Sequence, residues 1–190
     1  MFLKVEPLPR GQGFEFVDQV KGGTIPTQFI PAVEKGVRQV LDTGVIAGYP
    51  VKDVKVIVYD GKSHSVDSKD IAFATAGRKA FVDAMLKAGP IVLEPIVNVE
   101  ITAPEENMGD ITGDLSSKRG QVSGTRALQQ AGALAVMGQA PLSELASYQA
   151  RLNAMTGGRG SYTLEFSHYE PVPPTVQHQL VGQYKVKEEE

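Results

Sequence analysis

The chain is expected to fold as an α+β protein of two small domains, on three observations. Short runs such as Val54-Lys55-Val56-Ile57-Val58 have the two-residue alternation of strands. Longer segments place apolar residues three and four apart, the spacing of a helix that buries one side. The pattern is interrupted around Pro90 to Pro95, where prolines bracket a short apolar link and a new pattern begins. At 190 residues, each half could still bury enough surface to fold.

In the first half, Phe2 to Leu8 reads as a strand, Gly11 and Gly13 as a turn, and Phe14-Glu15-Phe16-Val17 as a second strand. From Pro31, residues Val33, Val37, Val40 and Leu41 fall on one helix face, and Gly44 stands just past its end. Val51 to Tyr59 is a strong strand. Asp67 or Ser68 is then expected to cap a helix carrying Phe73, Ala76, Ala80, Phe81, Ala84 and Met85, which Ala88-Gly89-Pro90 stops.

In the second half, Val97, Val99 and Ile101 alternate with polar residues. Pro104-Glu105-Glu106 opens a helix with Met108, Ile111 and Leu115 inward, ended by Lys118-Arg119-Gly120. Two weaker strands are expected near Gln121–Leu128 and Ala133–Gln139. Pro141 should start a second helix with Leu142, Leu145, Tyr148, Leu152 and Met155 inward. Tyr162, Leu164 and Phe166 share one face of a last strand, and His168 continues that face. The order β-α-β-β-α-β defines a ferredoxin-like split sandwich. Domains are thus expected at 1–90 and 95–170, with 171–190 a short docking helix (Val176, Leu180, Tyr184) and a charged tail.

Composition excludes several function classes. No apolar run approaches the roughly 18 residues of a membrane span. The absence of cysteine removes disulfides, thiolate metal sites and a cysteine nucleophile. The formal net charge of −3 argues against a protein that coats RNA by phosphate neutralisation, so any RNA contact must be local and shaped.

No catalytic or metal constellation emerges. His64, His168 and His178 lack ligand spacing to one another. The acids Glu105 and Glu106 complement a helix dipole. Gly157-Gly158-Arg159-Gly160 follows a helix rather than opening one, so it reads as a C-cap and not a phosphate cradle. There is no GxxxxGK[ST], hence no P-loop GTP site and no enzyme assignment for this chain. Two loops stand out instead: Gly22-Gly23-Thr24-Ile25-Pro26-Thr27-Gln28, and Lys62-Ser63-His64-Ser65-Val66-Asp67-Ser68-Lys69. For the first, a strand–helix connector and a recognition loop fit equally well.

A longer train of motifs runs in register: Phe14-Glu15-Phe16, Gly22-Gly23-Thr24-Ile25-Pro26, Ile30-Pro31-Ala32-Val33-Glu34-Lys35-Gly36, Ala47-Gly48-Tyr49-Pro50-Val51 and His64-Ser65-Val66-Asp67-Ser68. It continues through Leu93-Glu94-Pro95-Ile96, Pro104-Glu105-Glu106-Asn107-Met108-Gly109-Asp110, Lys118-Arg119-Gly120 and Gly158-Arg159-Gly160-Ser161-Tyr162-Thr163-Leu164-Glu165-Phe166. This resembles domains IV and V of elongation factor G, or of a divergent elongation factor G-like translation GTPase, over nearly the whole chain.

The resemblance implies a domain IV fold shared with a small-subunit ribosomal protein, including a left-handed βαβ crossover, followed by a domain V of ferredoxin type. It also implies a function: the C-terminal arm of a ribosome-stimulated GTPase, whose tip loops enter the decoding region and promote translocation of transfer RNA and messenger RNA. Gly22, Gly23, Thr24, Ile25, Pro26, Thr27, Gln28, Lys62, Ser63, His64, Ser65, Asp67, Ser68 and Lys69 would be the contacting residues. His64 stands where the eukaryotic and archaeal factor carries a modified histidine. Domain V would face the GTPase-associated RNA of the large subunit.

A cytoplasmic monomer is implied, with GTP and Mg bound by an N-terminal half that is missing here, and with no cofactor in the chain itself. The chain begins within the first strand of domain IV, so it reads as a fragment. The Ala- and Gln-rich stretch Val122–Gln139 points to a divergent, second-copy factor. The alternatives are a ribosomal-protection factor of the tetracycline-resistance type and a stand-alone ribosome-binding module.

Overall fold

The computed structural model describes residues 1–63, 69–129 and 132–184. The chain forms two compact units, one of Met1–Val92 with the C-terminal stretch from Pro173, the other of Leu93–Val172. Both are α+β.

The first unit contains β1 (Phe2–Pro7), β2 (Phe14–Asp18), α1 (Ile30–Thr43), β3 (Val54–Asp60) and α2 (Asp70–Ala88). β3 is central, antiparallel to β1 and parallel to β2. Its Val54 and Val56 are buried with Val37, Val40 and Leu41 of α1 and Phe81 and Met85 of α2. The strand starts later than alternation suggests. Asp53 has a left-handed backbone, φ 58°, and its Oδ1 accepts the Gly13 amide at 2.8 Å. That bond, foremost among several causes, holds the Asp53 carboxyl below the usual carboxylate range. The residue closes the β1–β2 turn against the base of β3 and breaks the extended run from Val51.

α1 and α2 approach closely because glycine stands at both contact points. A Cβ on Gly36 would fall inside the Ala74 carbonyl oxygen, and one on Gly77 would lie 2.7 Å from the Val33 carbonyl oxygen. The residue before the first turn of α2 is Lys69, with no side-chain cap bond. The expected caps Asp67 and Ser68 lie outside the described residues. At the far end of the chain, α5 (Pro174–Gln183) returns to this unit, where the Gln177 amide accepts from the Val92 N–H at 3.0 Å and donates to the Pro90 carbonyl at 3.5 Å.

The second unit is β4 (Leu93–Pro104), α3 (Met108–Ser117), β5 (Gln121–Ala127), β6 (Ala133–Pro141), α4 (Tyr148–Thr156) and β7 (Ser161–Pro171). The strand order β5-β6-β4-β7, all antiparallel, is that of the ferredoxin-like sandwich. Val97, Val99, Ile101, Ile111, Leu115, Val136, Tyr148 and Leu152 form its core.

Several local expectations change. Pro95 lies within β4 rather than in a link. It pairs only with β7, because β6 begins pairing at Ile96, so no partner there needs the missing N–H. β6 is a fully paired interior strand, not a weak one. Pro141 ends it, a short 3-10 turn follows, and α4 starts only at Tyr148, which leaves Leu142 43% exposed. Met108 likewise opens its helix exposed.

The last difference concerns β7, an edge strand. Tyr162 packs on the core, but Leu164 and Phe166 stand largely in the open. The register shifts opposite Ile96/Val97, and His168 does not continue the inward face. Its ring instead contacts Ser167 Oγ at 2.9 Å and Glu170 Oε1 at 2.8 Å at the surface.

Tyr148 is 1% exposed and edge-on to Tyr162, with ring centroids 5.3 Å apart. Its hydroxyl and Asp114 Oδ2 find no hydrogen-bond partner among the described residues. Burial, with the Asp114 charge second, pushes this phenol up to about 12. A phenol whose ionised form is penalised in the folded state leaves stability unaffected by pH below ~10 and lowers it progressively as pH rises toward the folded value. Tyr148→Phe is therefore expected to raise stability by about 1 kcal/mol at neutral pH, by removing an unpaired buried hydroxyl. It should also flatten the loss of stability between pH ~10 and ~12. Denaturant melts across that range check both outcomes.

Candidate functional site

Between β2 and α1 the chain makes an exposed irregular excursion with a defined backbone. β2 ends with the Gln19 amide on the Val58 carbonyl at 2.8 Å and the Val20 amide on Asp18 Oδ1 at 2.9 Å. Gly22 and Gly23 then adopt φ of 68° and 69°, the left-handed region that side chains disfavour. A Cβ at either would meet nothing within 4 Å. These glycines thus serve the backbone path and not a tight packing contact, and they leave the turn open to solvent.

Thr24, Thr27 and Gln28 are exposed and Pro26 is half-buried. Ile25 is the exception at 2% exposed, facing inward among Phe29, Val33, Val58 and Phe73. Its side chain anchors the loop to the core and does not face solvent. Pro26 fixes the approach to a 3-10 turn, Thr27–Phe29, in which the Phe29 amide donates to the Pro26 carbonyl at 2.9 Å.

The second expected loop leaves β3 at Asp60, whose Oδ1 accepts the Gly61 amide at 2.8 Å. Lys62, Ser63 and Lys69 are exposed. His64, Ser65, Asp67 and Ser68 lie outside the described residues. The described flanks of both segments meet in one cluster. Phe29 stacks on Phe73, with centroids 4.5 Å apart and planes 13° from parallel. Gly61 runs against Ile25.

The arrangement offers amide, hydroxyl and ammonium groups on a firm apolar base. Among the described residues, no group of three or more His, Asp or Glu could hold a metal ion. Nor is any helix among them long and apolar enough to cross a membrane. What the site can do chemically is bind by shape and hydrogen bonding, with Lys21, Lys62 and Lys69 nearby in sequence as cations. Phe73 was visible in the sequence as an apolar residue of the helix that follows the second loop, and Phe29 stands directly after the first. Gly61 carried no motif of its own, and its importance comes only from what lies above it.

A two-domain α+β chain with a split βαβ sandwich and a glycine-turned presenting loop is a class that known families share. Two family models match here. Elongation factor G, domain IV, covers residues 1–102, and Elongation factor G C-terminus covers residues 91–180. The chain belongs to the elongation factor G family.

Its relatives include Elongation factor G of Aquifex pyrophilus, 47% identical over 182 residues, covering 95% of this chain and 26% of the relative. Elongation factor G-like protein of Thermotoga maritima is 48% identical over 179 residues, covering 94% and 26%. A solved structure from Thermus thermophilus superposes with a TM-score of 0.76 at 40% identity, over 95% of this chain and 27% of that one. The chain spans about a quarter of the length of these relatives.

Proposed function

We propose that this chain is the ribosome-contacting arm of a translation elongation factor of the G type, with the Gly22–Gln28 loop and the Lys62–Lys69 segment as its tip. The observation that carries the reading is the exposed Gly22-Gly23 turn standing on the buried Ile25–Phe29–Phe73 base, in a chain of this family. Such a loop presents main-chain and hydroxyl groups in fixed positions, which suits shape recognition of RNA better than the overall charge of −3 suits electrostatic attraction.

The tip would enter the decoding region of the small subunit and hold transfer RNA and messenger RNA against backward slippage. Residues 93–172 would face the GTPase-associated RNA of the large subunit. GTP hydrolysis elsewhere in a longer polypeptide would time the docking.

The test is kinetic. In the intact factor, Gly22→Ala with Gly23→Ala forces two side chains into a backbone region that costs roughly 1–2 kcal/mol per residue, so the loop must change its path. Single-turnover translocation is expected to slow by roughly tenfold while ribosome-stimulated GTP hydrolysis stays at the parent rate. Parent-rate translocation in this variant would contradict the assignment.

A further inference from the structure

We infer that Ile25, Phe29, Gly61 and Phe73 are positioning residues that clamp the Gly22–Gln28 loop to both flanks of the Lys62–Lys69 segment, so that the loop is presented as a rigid body. The clamp has two independent points. On one side is the end of β3: a Cβ on Gly61 would lie 2.7 Å from Ile25 Cδ1 and Cγ1, so the isoleucine rests directly on bare backbone. On the other is the start of α2: Phe73 is in the first turn, its amide bonded to the Lys69 carbonyl at 3.2 Å, and its ring stacks on Phe29.

Gly61 precedes the second segment and Phe73 follows it. The only fully buried side chain of the first loop is therefore held by one flank, and the 3-10 turn that ends the loop by the other. Val33 and Val58, both at 0% exposure, close the cluster from below. Moving the loop separately would open both contacts, one of them a stacked aromatic pair worth more than its area alone. The loop therefore travels with its base. This deepens the proposed function and rests on it only for the kinetic part of the test.

The chain has no cysteine, so Thr24→Cys with Lys62→Cys gives a clean pair of spin-label sites, both exposed. In the full 190-residue chain, the label–label distance distribution should be narrow. Gly61→Ala, which pushes Ile25 off its seat, should broaden it about twofold. Phe73→Leu, which keeps an apolar side chain but removes the stack, should broaden it as well. Two variants are used because either could lower stability, and cooperative melting of each confirms that it is folded. Unchanged widths in both folded variants would overturn the clamp.

In the intact factor, the same variants should slow translocation by on the order of tenfold with GTP hydrolysis unaffected, an effect that general destabilisation does not produce selectively. Broadened distances with parent-rate translocation would overturn the positioning role. The Gly22/Gly23 variant decides separately whether the loop acts in translocation at all.

Discussion

Gly36→Ala is expected to lower the stability of the first unit by about 2 kcal/mol or more, although alanine favours a helix over glycine by about 1 kcal/mol. The reason is the nature of the neighbour. The new methyl would meet the Ala74 carbonyl oxygen, with the Ala74 carbonyl carbon 2.7 Å away, and these are backbone atoms of α2 that no rotamer change can move. The helices must separate, and with them the Val33, Val37, Phe73 and Phe81 packing that covers β3. The same holds for Gly77 over the Val33 carbonyl.

A melting midpoint about 10 °C lower follows for a unit of this size. Hydrogen exchange in Leu93–Val172 should be unchanged, because that unit has its own core. A higher midpoint would mean that helix propensity outweighs the clash, and that the close crossing is not needed.

Arg119→Ala is expected to cost about 3 kcal/mol in the second unit. Arg119 ends α3 in a Schellman arrangement, with the Gly120 amide on the Leu115 carbonyl at 2.9 Å and its own amide on the Ser116 carbonyl at 3.2 Å. The left-handed position of that motif usually holds glycine, yet here an arginine takes φ 58°. Its guanidinium explains the choice. Nη1 and Nη2 meet the two oxygens of Glu94 at 2.6 and 2.9 Å, and Nε meets Glu144 at 2.8 Å.

The bond to Glu94, foremost among the causes, raises the arginine's already high pKa. Removing Arg119 strands Glu94, which is 7% exposed, beside Glu144. The arginine side chain is itself 31% exposed, which keeps the figure at the low end of the ~3–5 kcal/mol found when a buried pair is broken. Arg119→Gly loses the same bonds but relieves the backbone, so it should be less damaging than Arg119→Ala by about 1 kcal/mol. Urea melts of the two variants separate the ion pair from the strain. Equal stabilities for all three proteins would mean that the network contributes nothing.

Much of the fold was legible because it rests on local rules. Val33, Val37, Val40 and Leu41 mark α1 by spacing, and Gly44 ends it. Gly89 and Gly157 end α2 and α4 with left-handed caps. What could not be read depends on neighbours distant in the sequence. β6 looked weak because Ala135, Gly138 and Ala140 carry little β preference, yet β4 and β5 pair it on both sides. Pro95 looked like a boundary until the absence of a β6 partner made it harmless there. Phe166 alternates correctly but lies on an edge strand where it stays 55% exposed.

The candidate site divides the same way. The glycine turn declared itself through backbone chemistry. Ile25 looked like one more loop residue until Gly61, 36 positions on, was seen to seat it.

The most direct test of the central claim is to place a reactive probe on the loop tip. A hydroxyl-radical source attached at Thr24→Cys in the intact factor, bound to ribosomes before translocation is complete, should cleave small-subunit RNA of the decoding region and adjacent transfer RNA. Cleavage confined to other ribosomal regions, or none above that of the unlabelled factor while binding is retained, would contradict the assignment of this loop as the ribosome-entering tip.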